Sequence, residues 1–197
     1  MENEVKEPAP KFNYVSPEQY LEMERAAIGK HEYYKGEIFA MSGASRRHNI
    51  IAKNINTLIL PFLKNKNCDM FGSDLRIHIP ENSLYTYPDF SIICGEWETT
   101  DKEKDTVINP SSIIEILSKT TRDYDRGTKF TLYRSIKTLK EYILIDSTSF
   151  SVEIFIRQND DSWVLTEHKN LSESFAIQSI GLTLHLQDIY EAVNFNE

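Results

Sequence analysis

Cysteine is nearly missing from this chain: Cys68 and Cys94 are the only two in 197 residues. Without a third Cys or a nearby His they make neither a disulfide framework nor a zinc site. Their apolar, strand-like surroundings predict buried structural thiols. Glycine and proline are sparse as well, seven of each, which excludes collagen-like and low-complexity chains. No run nears the roughly 20 apolar residues of a membrane span, and the charged start MENEVKEPAPKF lacks the apolar stretch of a signal peptide. A cytoplasmic protein without a membrane partner is therefore expected. Despite five histidines (His31, His48, His78, His168 and His185), HExxH and HxH are missing, which argues against a zinc hydrolase. GxSxG, GxxxxGKS/T and GxGxxG are also missing, which removes the hydrolase elbow, the P-loop and the dinucleotide fingerprint.

Apolar and charged side chains fill the space these absences leave. Hydrophobic residues make up 40% and aromatics 11%, enough for a full-sized core. The length suits one domain, predicted over 14–197 after a flexible tail at 1–13. A net charge of −8 argues against tight non-specific binding to nucleic acid, which rests on neutralising phosphates. The charge is unevenly spread, however. Residues 44–66 carry Arg46, Arg47, Lys53, Lys64 and Lys66 with no acid, and 119–140 carry seven basic residues against Asp123 and Asp125, so each stretch stands at +5. Either stretch reads as a solvated helix face. Because they flank candidate acidic site residues, a polyanionic substrate stays in view.

The pattern along the chain predicts mixed structure. Ser16-Pro17-Glu18-Gln19 has the form of a capping box with proline at the first helical position, opening a helix that runs to about Ala27 and ends near Gly29. Tyr33, Tyr34, Ile38 and Phe39 around Lys35-Gly36 predict a tight hairpin. Ile51, Ile55, Leu58, Ile59 and Phe62 fall at helical spacing, so 46–63 is a long amphipathic helix, kinked by Pro61. Strand-like runs follow at 69–71, 75–79 and 87–94, with an exposed polar loop at 96–105. SIIEIL at 112–117, a helix over 124–135 and YILID at 142–146 have the pattern of a right-handed crossover in a sheet covered on both faces. An antiparallel pair at 150–157 and 163–169 and a last helix at 186–193 complete the prediction.

Glu115 is the informative residue. It interrupts an apolar strand, where desolvating a carboxylate costs several kcal/mol unless a partner compensates. A structural pairing with Arg or Lys is one reading. Asp89, after Pro88 and before the apolar run 90–94, repeats the arrangement, although Pro-Asp is also common turn chemistry. Two carboxylates on neighbouring strands repel unless a cation lies between them, and hard oxygen ligands favour Mg²⁺ or Mn²⁺ over zinc.

Tyr87-Pro88-Asp89, Glu115 within SIIEILSKTT, Asp125-Arg126-Gly127-Thr128-Lys129 leading to Tyr133, and 141–146 (EYILID) together resemble the Uma-two family. This is a prokaryotic group of restriction-endonuclease-like proteins in the PD-(D/E)xK nuclease superfamily. The likeness spans about 16–189 and includes the Lys35-Gly36-Glu37-Ile38 hairpin and the helix bearing His48. It implies an α/β (α+β) fold, a restriction-endonuclease-like mixed sheet flanked by helices with an added antiparallel C-terminal hairpin.

The resemblance further implies that Asp89 and Glu115 bind Mg²⁺ or Mn²⁺ in a cytoplasmic endonuclease acting on DNA, with the Ile116 carbonyl as a further ligand. Where the superfamily's lysine usually stands, two places after the glutamate, this chain has Leu117. The family pattern nominates Lys129 from the next helix instead, within pairing distance of Asp125 on one helical face. Lys119 is a lesser substitute. Glu37 is implied as an additional acidic ligand. His48 would orient the site or contact phosphate, and Arg46, Arg47, Arg122 and Arg126 would line a groove for the DNA backbone. A homodimer would suit double-strand cutting. Two other readings stay open: a catalytically inactive nuclease-fold module for binding or assembly, and a carboxylate-pair enzyme acting on a sugar.

Overall fold

The computed structural model describes residues 14–195; the tail expected at 1–13 lies outside them. Helix α1 (Pro17–Ala26) starts on the predicted capping box, with Ser16 Oγ accepting the Gln19 N–H and Gln19 Oε1 accepting the Ser16 N–H. Strands β1 (His31–Tyr34) and β2 (Glu37–Ala40) form the expected hairpin. Its two-residue turn places Lys35 and Gly36 at φ of 48° and 96°, the left-handed pair that such turns require. Helix α2 (Arg46–Leu63), capped by Ser45, runs through Pro61 to its predicted end.

The next strands are β3 (Cys68–Gly72), β4 (Arg76–Ile79), β5 (Leu84–Thr86), β6 (Phe90–Cys94), β7 (Thr106–Val107) and β8 (Ser112–Leu117). The predicted helix after β8 runs without a gap as α3 (Arg122–Tyr124), a π-helical turn (Asp125–Lys129) and α4 (Phe130–Tyr133). Strands β9 (Glu141–Asp146), β10 (Val152–Arg157), β11 (Trp163–His168), β12 (Ser174–Ile177) and β13 (Leu182–His185) then lead into the short helix α5 (Leu186–Ile189).

Two sheets face each other. One has the order β11-β10-β9-β8-β6-β3 and the other β2-β1-β5-β4-β7, with β12-β13 as a separate hairpin. The β8–β9 pair is parallel, as the crossover pattern predicts, and its neighbours are antiparallel. The antiparallel pair β10-β11 continues the central sheet, and β12-β13 is a further hairpin that local patterning did not reveal. The run at 87–94 is not one strand: Tyr87-Pro88-Asp89 is the link by which the chain leaves one sheet at β5 and joins the other at β6. Pro88 has no N–H to give a ladder, which suits it to that crossing.

Strand β8 is buried on both faces. Ile114 and Ile116 pack with Ile51, Ile55 and Ile59 of α2 in one core cluster. Ile113 and Leu117 turn the other way, packing with Ile77, Leu84, Tyr133 and Tyr142 between the sheets. By strand alternation Glu115 shares this second face.

The cysteines depart from expectation. Cys68 and Cys94 are register partners across β3 and β6 and form a disulfide. They read as separate buried thiols because strand pairing is non-local, and nothing near either residue announces its partner. Among the described residues, no helix is long and apolar enough to cross a membrane.

Candidate active site

The link that carries the chain between sheets delivers Asp89 to the end of the β6–β8 ladder. Phe90 pairs with Ile114, so one step further Asp89 falls opposite Glu115. The Asp89 N–H donates to Glu115 Oε2 at 3.2 Å, and Asp89 Oδ2 accepts the Ile116 N–H at 2.7 Å. The other carboxylate oxygen, Oδ1, lies 3.1 Å from His48 Nε2, on the first turn of α2. Leu117 turns its carbonyl to Ser147 at the end of β9, so alternation turns the main chain of Ile116 toward β6 and Asp89.

Glu115 is almost fully enclosed. Its Oε1 accepts from the Tyr133 hydroxyl at 3.0 Å and lies 2.9 Å from Lys129 Nζ. Lys129 is itself buried, and its ammonium also lies 3.2 Å from Glu32 Oε1 and 3.8 Å from Asp125 Oδ1. Glu32 receives a short hydrogen bond from Thr86 Oγ1, its neighbour across β1 and β5. Asp125, Lys129 and Tyr133 are spaced four apart. In a regular α-helix each such step drifts about 40° around the axis. A π turn at 125–129 changes the first of these steps, and Lys129 and Tyr133 both meet Glu115. Such turns recur at functional sites.

The electrostatics follow from burial. Desolvation pushes the Glu115 carboxyl up to about 8, against the pull of Lys129, and the nearby Asp125 and Asp89 add to the rise. Asp125 is raised for the same first reason. Burial alone would lower Lys129, but Glu115, Tyr133, Glu32 and Asp125 hold its ammonium well above the ordinary lysine value. The site thus concentrates negative charge around one fixed cation.

The structure therefore brings together Asp89, Glu115, Lys129, His48 and the Ile116 main chain. Glu37 occupies the same face of the hairpin as Glu32, but it lies at the turn end opposite Tyr34 and is exposed. The hairpin acid that reaches Lys129 is Glu32, which the sequence reading missed. Its only local signal was an acid alternating with buried Tyr33. Arg46 and Arg47 stand on the first turn of α2, beside His48. Arg122 and Arg126 are committed elsewhere. Arg122 binds Asp146 at 3.1 Å and also Thr148, while Arg126 forks onto Glu153 with Nε 2.9 Å from Oε1. They border a shallow pocket at β9 and β10, with Phe150 and Lys169.

Among the described residues, no three His, Cys, Asp or Glu side chains converge into a closed metal cage. The donor set is two carboxylates, each with lone pairs beyond its present hydrogen bonds, and one main-chain carbonyl. That chemistry suits Mg²⁺, which keeps several waters and takes one or two carboxylates together with substrate phosphate.

Two facing sheets with few helices make a mixed α+β fold. A crystal structure from Anabaena variabilis ATCC 29413, described as "a putative nuclease belonging to DUF820", shares it. The match has a TM-score of 0.71 over 91% of this chain and 99% of that one, at 17% identity. Residues 17–187 match the Uma2 family, "Putative restriction endonuclease", and the chain belongs to that family. Two Synechocystis sp. proteins are similar: slr1290, 35% identical across 95% of this chain and 97% of its own, and sll1609, 38% identical across 76% and 84%.

Proposed function

We propose that the protein is a metal-dependent endonuclease that hydrolyses phosphodiester bonds in DNA. Asp89, Glu115 and the Ile116 carbonyl would hold Mg²⁺ or Mn²⁺, which when bound polarises a phosphoryl oxygen and lowers the pKa of its water. His48 and the Ile116 N–H fix the two oxygens of Asp89, and Tyr133 fixes Glu115, so neither carboxylate must reorganise when substrate arrives. Lys129 orients the attacking water and neutralises charge building on phosphorus. Arg46 and Arg47, on the same first turn of α2 as His48, would meet a backbone phosphate approaching Asp89.

One observation carries this reading: Lys129 Nζ stands 2.9 Å from Glu115 Oε1 although Leu117 fills the superfamily's usual lysine position. Leu117 packs in the core between the sheets, and the ammonium arrives from the helix instead.

Plasmid nicking tests the proposal. Wild type is expected to nick with Mg²⁺ and not with EDTA, and both Asp89→Ala and Lys129→Met to lose that activity. Undiminished nicking in either variant, or in EDTA, would contradict it. DNA binding without cleavage by wild type would support the binding module instead.

A further inference from the structure

Two exposed aromatic rings flank this site and take no part in the chemistry assigned above. Phe39 is 47% exposed although it lies in a strand, and Tyr124 is 39% exposed. Phe39 is the register partner of Glu32, and directly opposed residues of an antiparallel pair share a face. The Glu32 side chain reaches Lys129, so that face is the one turned to the site. Tyr124 immediately precedes the π turn that carries Asp125 and Lys129. Its phenol is pushed up to about 12, chiefly by burial and then by Glu32. Both rings therefore border the Glu32–Lys129 pair, one from the sheet and one from the helix, and they are not in ring contact with each other.

Charge around the site is equally informative. Arg122 and Arg126, which a duplex-binding groove would have used, are tied to Asp146 and Glu153. The chain carries −8 overall, which disfavours binding that rests on neutralising the many phosphates of a duplex. The reacting groups are also recessed: Glu115 and Lys129 side chains are 6% and 7% exposed. A stiff duplex presents its bases stacked and its backbone on a broad curve, whereas a single strand can bend a phosphate inward and offer a bare base.

Resting on the nuclease reading of the same site, we infer that the substrate is single-stranded or flapped DNA, with an unstacked base held against Phe39 and Tyr124. Stacking on aromatic rings is sequence-tolerant and supplies affinity that does not depend on neutralising phosphates. The recessed phosphodiester then lies beside Lys129 while the neighbouring base stays at the rim.

The test compares wild type with Phe39→Ala, Tyr124→Ala, Phe39→Trp and Tyr124→Phe. Binding is measured on a short single-stranded oligonucleotide containing 2-aminopurine and on a blunt duplex of the same sequence. Cleavage of both is followed with Mg²⁺. Wild type is expected to prefer the single strand and to quench 2-aminopurine. Each alanine variant should lose roughly tenfold in single-strand affinity, together with the quenching. The slope of affinity against salt should stay unchanged, and the aromatic replacements should retain binding. Equal affinity for duplex and single strand in wild type, or alanine variants that bind and quench as wild type does, would overturn the inference. If wild type cuts duplex DNA and the rings prove silent, this inference alone falls. If wild type neither binds nor cuts any DNA, the nuclease reading falls and takes it along.

Discussion

Asp89 and Glu115 face each other across the open end of the β6–β8 ladder, joined by the Asp89 N–H donating to Glu115 Oε2 at 3.2 Å. The main chain thereby locks the spacing of two acids that are 26 residues apart in sequence. Like charges held this way need a cation, and Lys129 is the one in contact with Glu115.

Replacing Lys129 with methionine should therefore act on both activity and stability. Three carboxylates, Glu32, Glu115 and Asp125, lose their shared ammonium. Removing one partner from a buried ion cluster costs on the order of 3–5 kcal/mol. The melting temperature should drop further at pH 8 than at pH 5, because acid neutralises the stranded carboxylates. Cleavage should fall by roughly 10²–10³-fold, the cost of removing one preorganised charge from a reacting centre. A melting temperature that shifts equally at both pH values would contradict this role.

Glu115 sets a pH dependence of its own. Unfolded, its carboxyl titrates near 4.5; folded and free of metal, near 8. Between those values the folded state holds a proton that the unfolded chain has released, so this contribution to stability is full below about 4.5 and fades as pH rises through 8. Thermal melts in EDTA should show declining stability across that window. Adding Mg²⁺ at pH 8 should recover part of it, since an ion that binds only the folded, ionised site stabilises by mass action. Melts that Mg²⁺ leaves unmoved at pH 8 would count against the metal assignment.

The arginines separate into two groups by their contacts. Arg126 braces Glu153, so Arg126→Ala should cost about 1 kcal/mol of stability, as partly exposed pairs do, while the salt slope of DNA binding stays the same. Arg47, on the first turn of α2 beside His48, should behave in the opposite way: little change in stability, and a salt slope reduced by about one. A slope that changes in Arg126→Ala would place the DNA on the β9–β10 side instead.

Opening the Cys68–Cys94 bond should loosen the edge strand β3. The bond closes a 26-residue separation, for which loop entropy predicts about 3.5 kcal/mol. Adding reductant, or the double change of both cysteines to alanine, should lower the melting temperature. An unchanged melting temperature would mean the thiols contribute no cross-link.

What could be read ahead of the structure was whatever local pattern encodes. Glu115 declared itself by standing in an apolar strand, and Asp89 by repeating that arrangement after Pro88. Lys129 came from a family pattern rather than from spacing alone. The hairpin at Lys35-Gly36 and helix α2 followed from turn chemistry and a 3.6-residue period. Relationships between segments distant in sequence were not legible. Glu32 reaches the site because β1 pairs with β5, and Cys68 meets Cys94 because β3 pairs with β6; neither pairing leaves a local mark. The basic run at 119–140 read as one net-positive stretch, yet Asp146 and Glu153, contributed by later strands, claim two of its arginines. The π turn also had no signal, since one widened turn leaves the apolar spacing of a short helix nearly intact.

The most direct test of the centre is a crystal soaked in Mn²⁺ and examined by anomalous diffraction. A peak within about 2.3 Å of one Asp89 oxygen, one Glu115 oxygen and the Ile116 carbonyl, with Lys129 still adjacent, is the predicted result. A peak elsewhere, or none while Asp89 and Glu115 keep their present partners at saturating Mn²⁺, would contradict a metal-dependent phosphodiesterase.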